Sequence, residues 1–269
     1  MSAEAEAAKD ERYYRESCGG AEFFSRYGAE VVKPALALAL KRAQLRPGLR
    51  ALDMGCGRGE LLHQLKKAGV EAVGADYAPA ALGLARKTSQ APVLRADARR
   101  LPFADASFDR IFFLGVVDHL PDEALRQAFA EFRRVLRPGG LLLLSTCVNT
   151  DYHKRLTYAL RKALARALGL KPPRAPKSAE DEELHINEHN ERNLRAFLSA
   201  EGWDHEIELR PNVKYSIEEL YGDRLPEGFP LRRPSAWKRA AHAAAFRGPL
   251  KRLMARELFC RARPGGPRG

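Results

Sequence analysis

From about residue 49 to residue 146, short apolar runs alternate with longer stretches in which apolar residues recur every three to four positions. The runs at 49–53, 72–76, 93–96, 106–115 and 141–146 have strand length and are built mainly of aliphatic and aromatic residues. The intervening stretches carry helical spacing. Leu61, Leu62, Leu65 and Val70 share one face after the first run, and residues 79–87 read as a second helix. A third opens at Pro121, a residue suited to the first helical turn, and reaches Leu136. Upstream, residues 13–45 read as one or two helices with Tyr13, Tyr14, Phe23, Phe24 and Tyr27 clustered, before Pro47 and Gly48 break the chain. Downstream come an amphipathic helix over 151–168, a helix ending at Gly202, a strand at 204–209, and basic helices over 237–254 broken at Gly248 and Pro249. A last strand falls at 257–262. The pattern is that of an α/β chain.

The first strand runs into Asp53 and then into glycine at every second position: Gly55, Gly57 and Gly59. Glycine tolerates positive φ and lets another molecule approach the backbone. A turn of this kind at the carboxyl end of a strand is where open α/β sheets bind ligands. It is not the dinucleotide fingerprint, which needs a third glycine at position 60, where Glu60 stands.

The D-x-G-x-G-x-G stretch resembles motif I of the class I S-adenosylmethionine (SAM)-dependent methyltransferases. Four further features follow in order: Asp76 ends the second strand, Asp97 and Ala98 follow the third, Ser107, Phe108 and Asp109 open the fourth, and Arg137, Pro138, Gly139 and Gly140 form a turn before the fifth. Together they resemble the type 11-like group that includes small-molecule and quinone-biosynthesis methyltransferases, strongly over residues 45–150. The resemblance implies a Rossmann-like, seven-stranded, mostly parallel sheet with helices on both faces and an antiparallel edge strand. It implies SAM as cofactor, with Asp53, Gly55, Cys56, Gly57 and Gly59 shaping the methionine end. Asp76, with Tyr77 beside it, would hold the ribose hydroxyls, Asp97 and Ala98 the adenine, and Leu114 would border the site. A carboxylate accepts two hydrogen bonds at once, which suits the ribose role; a helix cap is the other reading of Asp76. His119, beside Asp118 after strand 4, is the candidate base for a hydroxyl or acidic-carbon acceptor, or else caps the next helix. Cys56 reads as a small residue that fits the turn. The Asn-Pro-Pro-Tyr type of motif of many adenine and glutamine N-methyltransferases is absent.

The expected organisation is an N-terminal helical lid (1–45), a SAM-binding core (46–150), a basic helical cap insertion (151–187), the C-terminal part of the same domain with basic helices (188–263), and a disordered tail (264–269). The N-terminal helices either close over the cofactor or simply pack on the sheet edge.

Charge changes the picture more than composition does. Apolar content of 45% is ordinary, but the net charge of +12 is concentrated. Residues 151–177 hold eight Lys/Arg and one acid, and residues 231–269 hold eleven and one. On a helical wheel Leu156, Leu160, Ala163, Leu164, Ala167 and Leu168 fall on one face, and Lys154, Arg155, Arg161, Lys162 and Arg166 on the other. Three readings stay open: a solvated basic surface, contact with an anionic membrane or a lipid-like acceptor, and nucleic-acid binding. The last would make the chain an RNA or tRNA methyltransferase, although no recognised RNA-binding motif accompanies the charge. A non-catalytic SAM-fold binding protein is the reading from another class. No apolar run is long enough to span a bilayer and the N-terminus lacks a signal-peptide core, so the expected location is cytoplasmic, with peripheral membrane contact as its extension. No metal is expected: the four cysteines lie far apart, and Ile186 breaks the zinc-protease pattern between His185 and His189. The expected acceptor is a small organic molecule.

Overall fold

The computed structural model describes residues 12–146, 149–173, 175, 184–211, 217–221 and 234–266. Seven strands form one sheet: β1 (Arg50–Met54), β2 (Glu71–Asp76), β3 (Val93–Arg95), β4 (Phe108–Leu114), β5 (Leu136–Ser145), β6 (Trp203–Arg210) and β7 (Glu257–Pro264). Their order is β3-β2-β1-β4-β5-β7-β6. The first five are parallel, and β7 is antiparallel to both its neighbours. The seven-stranded, mostly parallel arrangement expected from the sequence is therefore present, and the strand order reverses between β1 and β4; the antiparallel strand, however, is not at the edge as expected, because β7 inserts between β5 and β6 and leaves β6 outermost.

The parallel strands are apolar on both sides because helices cover both faces. Ile111, Phe113, Leu142 and Leu144 enter one core with α5 (Asp122–Val135) and α8 (Glu191–Ala200). Phe112, Leu141 and Leu143 enter the other with α2 (Pro34–Arg42), α3 (Glu60–Lys67) and α4 (Pro79–Ser89). Local chemistry sets the helix starts. Pro34 and Pro79 stand in the first turns of α2 and α4, where a missing N–H is harmless. Asn190 and Asn193 form a reciprocal capping box on α8.

The structure corrects several boundaries. α5 ends at Val135, and β5 begins at Leu136 rather than after the Pro-Gly-Gly turn. Leu136 pairs with Phe108, whereas Leu141 pairs with Arg110, so residues 137–140 bulge out of an otherwise continuous ladder. Pro121 caps α5 from outside instead of opening its first turn. Proline-containing residues 211–235, whose sequence reads as loop, contain a short helix α9 (Ile217–Tyr221); Tyr221 Oη donates to the Val32 carbonyl at 2.8 Å and α9 packs on α2. The tail does not begin at Pro264: that residue pairs with Trp203, and the Gly265 N–H bonds to the Gly202 carbonyl. Tyr215, the Glu180–Glu183 acidic run and residues 267–269 lie outside the described residues.

The two ends of the chain add α1 (Ala21–Tyr27), preceded by a π-turn over Tyr13–Ser17, and the basic helices α6 (His153–Leu156), α7 (Tyr158–Ala167), α10 (Ala236–Arg247) and α11 (Lys251–Met254). The apolar face of α7 is not packed inward. Leu160, Leu164 and, just before and after the helix, Leu156 and Leu168 are exposed, while Ala165 is buried.

Candidate active site

A cavity of about 640 Å³ opens where the strand order reverses, the place where open α/β sheets hold ligands. Asp53, Met54, Gly55, Cys56 and Gly57 form one wall, Asp76, Tyr77, Asp97 and Ala98 another, and Leu114, Gly115, Val116 and His119 a third. Ten of the eleven site residues expected from the sequence thus meet at one place. The exception is Gly59, which does not line the cavity. It holds φ at +83°, and an added Cβ would fall 2.8 Å from Ala85 Cα, so its absent side chain lets α3 pack on α4. Gly55 faces the cavity at φ +82°, and a Cβ there would lie 2.3 Å from Val116 Cγ2. Glycine is needed at both positions for space as well as conformation.

The acids have different surroundings. Asp76 is buried and its oxygens accept from the Gly57 and Ala78 N–H groups at 2.9 and 3.0 Å. Burial raises its pKa, and the backbone donors oppose that rise. Asp53 is buried deeper in effect: desolvation, with Asp76 and Glu60 adding repulsion and Lys33 opposing, pushes its carboxyl up to about 8. Neither makes a salt bridge among the described residues. Asp97 is half-buried and is gripped by the Arg99 guanidinium at 2.6–3.0 Å, which holds its carboxyl below the usual range. It keeps acceptor capacity, since a carboxylate offers about four lone-pair sites. Burial pushes the Cys56 thiol up, so it stays protonated, as befits a small turn residue and not a nucleophile.

His119 sits on the short 3₁₀ turn Val117–His119 at the cavity wall. Its Nδ1 lies 3.1 Å from the Leu184 carbonyl, and its ring meets that of His185 edge-on at 4.7 Å. A carbonyl can only accept, so Nδ1 carries the proton in that bond. His119 is not the cap of α5; Pro121 is.

Sequence reading missed the latch over this cavity. Arg58, buried between the glycines, donates to the carbonyls of Tyr14, Cys18 and Gly19 at 2.8–3.1 Å and pairs with buried Glu60 at 2.9 Å. Tyr13, Tyr14 and Cys18 consequently line the cavity. The one available signal was the presence of a charged pair, Arg58 and Glu60, flanking Gly59 in a turn otherwise made of small residues.

The cradle fits a cationic cofactor. Two buried acids face one space that Lys33, Arg58 and Arg99 also line, and the upward push on Asp53, caused first by burial and then by Asp76 and Glu60, is what a further bound positive charge would relieve. Its volume lies within the ordinary range for small-ligand sites, roughly 300–1,000 Å³.

Sheet order, glycine turn and strand-end acids together are those of the class I, SAM-dependent methyltransferases. Residues 52–144 match the model of the methyltransferase-domain family. The chain is 31% identical over 134 residues to an uncharacterised methyltransferase of Synechocystis sp., a match covering 49% of this chain and 61% of that protein. It is 38% identical over 117 residues to a demethylmenaquinone methyltransferase of Thermus thermophilus, covering 41% and 50% respectively. The chain thus spans 61% and 50% of these two relatives' lengths, less than two thirds of either. A SAM-dependent methyltransferase structure from Archaeoglobus fulgidus superposes with a TM-score of 0.57 at 18% identity, over 90% of this chain and 97% of that one, which shows the shared fold.

Proposed function

We propose that the chain transfers a methyl group from SAM to a small organic acceptor bearing a hydroxyl or an acidic carbon. The observation that carries this reading is the pair of buried acids, Asp53 and Asp76, at neighbouring strand ends, facing a cavity that His119 also lines beside the apolar side chains of Leu114, Val116, Leu120 and Ala124. When bound, SAM supplies a methyl group on a positively charged sulfur, which needs only an in-line nucleophile.

The residues then have separable tasks. Asp76 receives the ribose hydroxyls on the lone pairs its backbone donors leave open, and Asp97 with Ala98 receives the adenine. Asp53 and the Gly55–Gly57 backbone border the methionine end. Tyr13, Tyr14 and the Arg58 latch exclude water, which strengthens every electrostatic contact inside. His119 takes the acceptor proton, and Leu120, Pro121, Ala124 and Leu184 select an apolar acceptor body. The relative named for demethylmenaquinone supports an aromatic or quinone-like acceptor, amphipathic in character.

A transfer assay with labelled SAM and a panel of hydroxylated aromatic acceptors tests this. The wild type should methylate at least one, and His119→Asn should lower kcat roughly 10²-fold or more with loss of the acid limb of the pH profile. A folded protein that retains SAM yet methylates none of them would instead fit a binding role. Unchanged turnover of His119→Asn at every pH would remove the base.

A further inference from the structure

The two basic segments lie about 80 residues apart in sequence, yet the fold joins them. His153 Nδ1, at the start of α6, lies 2.9 Å from the Leu253 carbonyl of α11. Asn149 Nδ2 donates to the carbonyls of Arg252 and Ala255 at 3.1 and 3.0 Å. Neither Tyr152 through Pro173 nor Pro234 through Arg256 contains an acidic residue. The joined surface is therefore rich in cations, of which Arg155 pairs with Glu188 and Arg252 with Glu191, and it is also apolar. Leu156, Leu160, Leu164 and Leu168 recur every fourth position and all point to solvent, Leu160 at 72% exposure. Leu250 and Leu253 are exposed on the second segment, and Trp237 is 69% exposed at the start of α10.

We infer that this surface docks on an anionic lipid membrane. Nucleic acid would satisfy the Lys and Arg side chains but leave the leucine row in water. A bilayer surface satisfies both, because alkyl side chains enter the acyl boundary while cations stay among the phosphates. Near an anionic leaflet each unpaired cation adds to the attraction. An exposed Trp suits the headgroup level. The docked face adjoins the cavity mouth: Arg155 pairs with Glu188, and four residues earlier Leu184 both lines the cavity and is exposed, with Ile186 exposed beside it. An amphipathic acceptor would then enter from the lipid. That last point rests on the proposed methyl transfer, whereas docking does not.

The test uses the full chain with phosphatidylcholine vesicles, with and without phosphatidylglycerol, at physiological salt. The chain should co-sediment with the anionic vesicles and not with the neutral ones. Trp237 emission should shift to the blue, with Trp237→Phe removing the shift because the only other Trp, Trp203, is buried. The double variant L160S/L164S, altered only at exposed positions, should partition about tenfold more weakly or worse, with an unchanged circular dichroism spectrum. No association would overturn the inference, as would equal partitioning of L160S/L164S. So would a leucine-dependent dimer in sedimentation, or an RNA gel shift in the absence of vesicle binding. None of these outcomes depends on turnover.

Discussion

Asp53 and Gly55 carry the sharpest predictions at the scale of single residues. The Asp53 pKa in the fold, about 8, lies above the ordinary value of 3.8. The folded state therefore holds an extra proton between those limits, and this group's contribution to stability is complete below about 4 and lost as pH rises through 8. Chemical denaturation of the ligand-free protein at pH 5 and pH 8 should show wild type losing stability relative to Asp53→Asn, by up to about 1.4 kcal/mol per pH unit. Parallel curves would show that Asp53 is ionised throughout. Gly55→Ala adds a Cβ into Val116 and a positive-φ penalty of roughly 1–2 kcal/mol. SAM affinity should fall at least tenfold. Gly55→Ala with Val116→Ala should regain the part due to collision but not the part due to φ, a split that calorimetry reads directly. These residues were legible in the sequence because their chemistry is local: an acid at a strand end, a glycine in a turn. The direction of the Asp53 shift was not, since it arises first from burial and then from Asp76 and Glu60, which meet only in the fold.

Among the elements, the N-terminal segment is held by Arg58 rather than by its own packing alone. Arg58→Met removes three hydrogen bonds to that segment and leaves the Glu60 carboxylate buried without its partner, a loss of roughly 3–5 kcal/mol. Limited proteolysis should then cut near residues 13–20 at a rate that Arg58→Lys only partly restores, because one ammonium cannot span three carbonyls and a carboxylate. Equal protection in Arg58→Met would mean the segment stays down without the latch. Hydrophobic spacing predicted nearly every strand and helix, and its failures are instructive. The Pro-Gly-Gly stretch read as a turn, yet ladder pairing continues on both sides of it through a bulge. The leucine face of α7 read as an ordinary amphipathic face, and spacing alone gives no way to tell that it faces outward.

For the molecule as a whole, the sheet places its polarity change where three strand ends meet, and everything functional gathers there. The first five strands are parallel because a crossover helix between strands permits a parallel neighbour, while β7, expected at the edge, is inserted antiparallel between β5 and β6. What joins the distant parts was hidden: Arg42 on α2 bonds to Glu208 and Glu219, and Arg210 bonds to the same two acids, tying β6 and α9 to the front of the sheet. Such contacts couple residues more than 160 positions apart, and no local pattern announces them. The charge distribution, by contrast, was plain from the sequence; its joining into one surface was not.

The account stands or falls on whether the cavity holds an adenosyl cofactor through its strand-end acids. Isothermal titration of the folded wild type with SAM and with S-adenosylhomocysteine is the most direct test, run beside Asp76→Ala with its fold checked by circular dichroism. The prediction is saturable one-to-one binding of both by the wild type, weakened at least tenfold in Asp76→Ala because two charge-assisted hydrogen bonds are lost. Absence of binding by the folded wild type, or undiminished binding by Asp76→Ala, would contradict it.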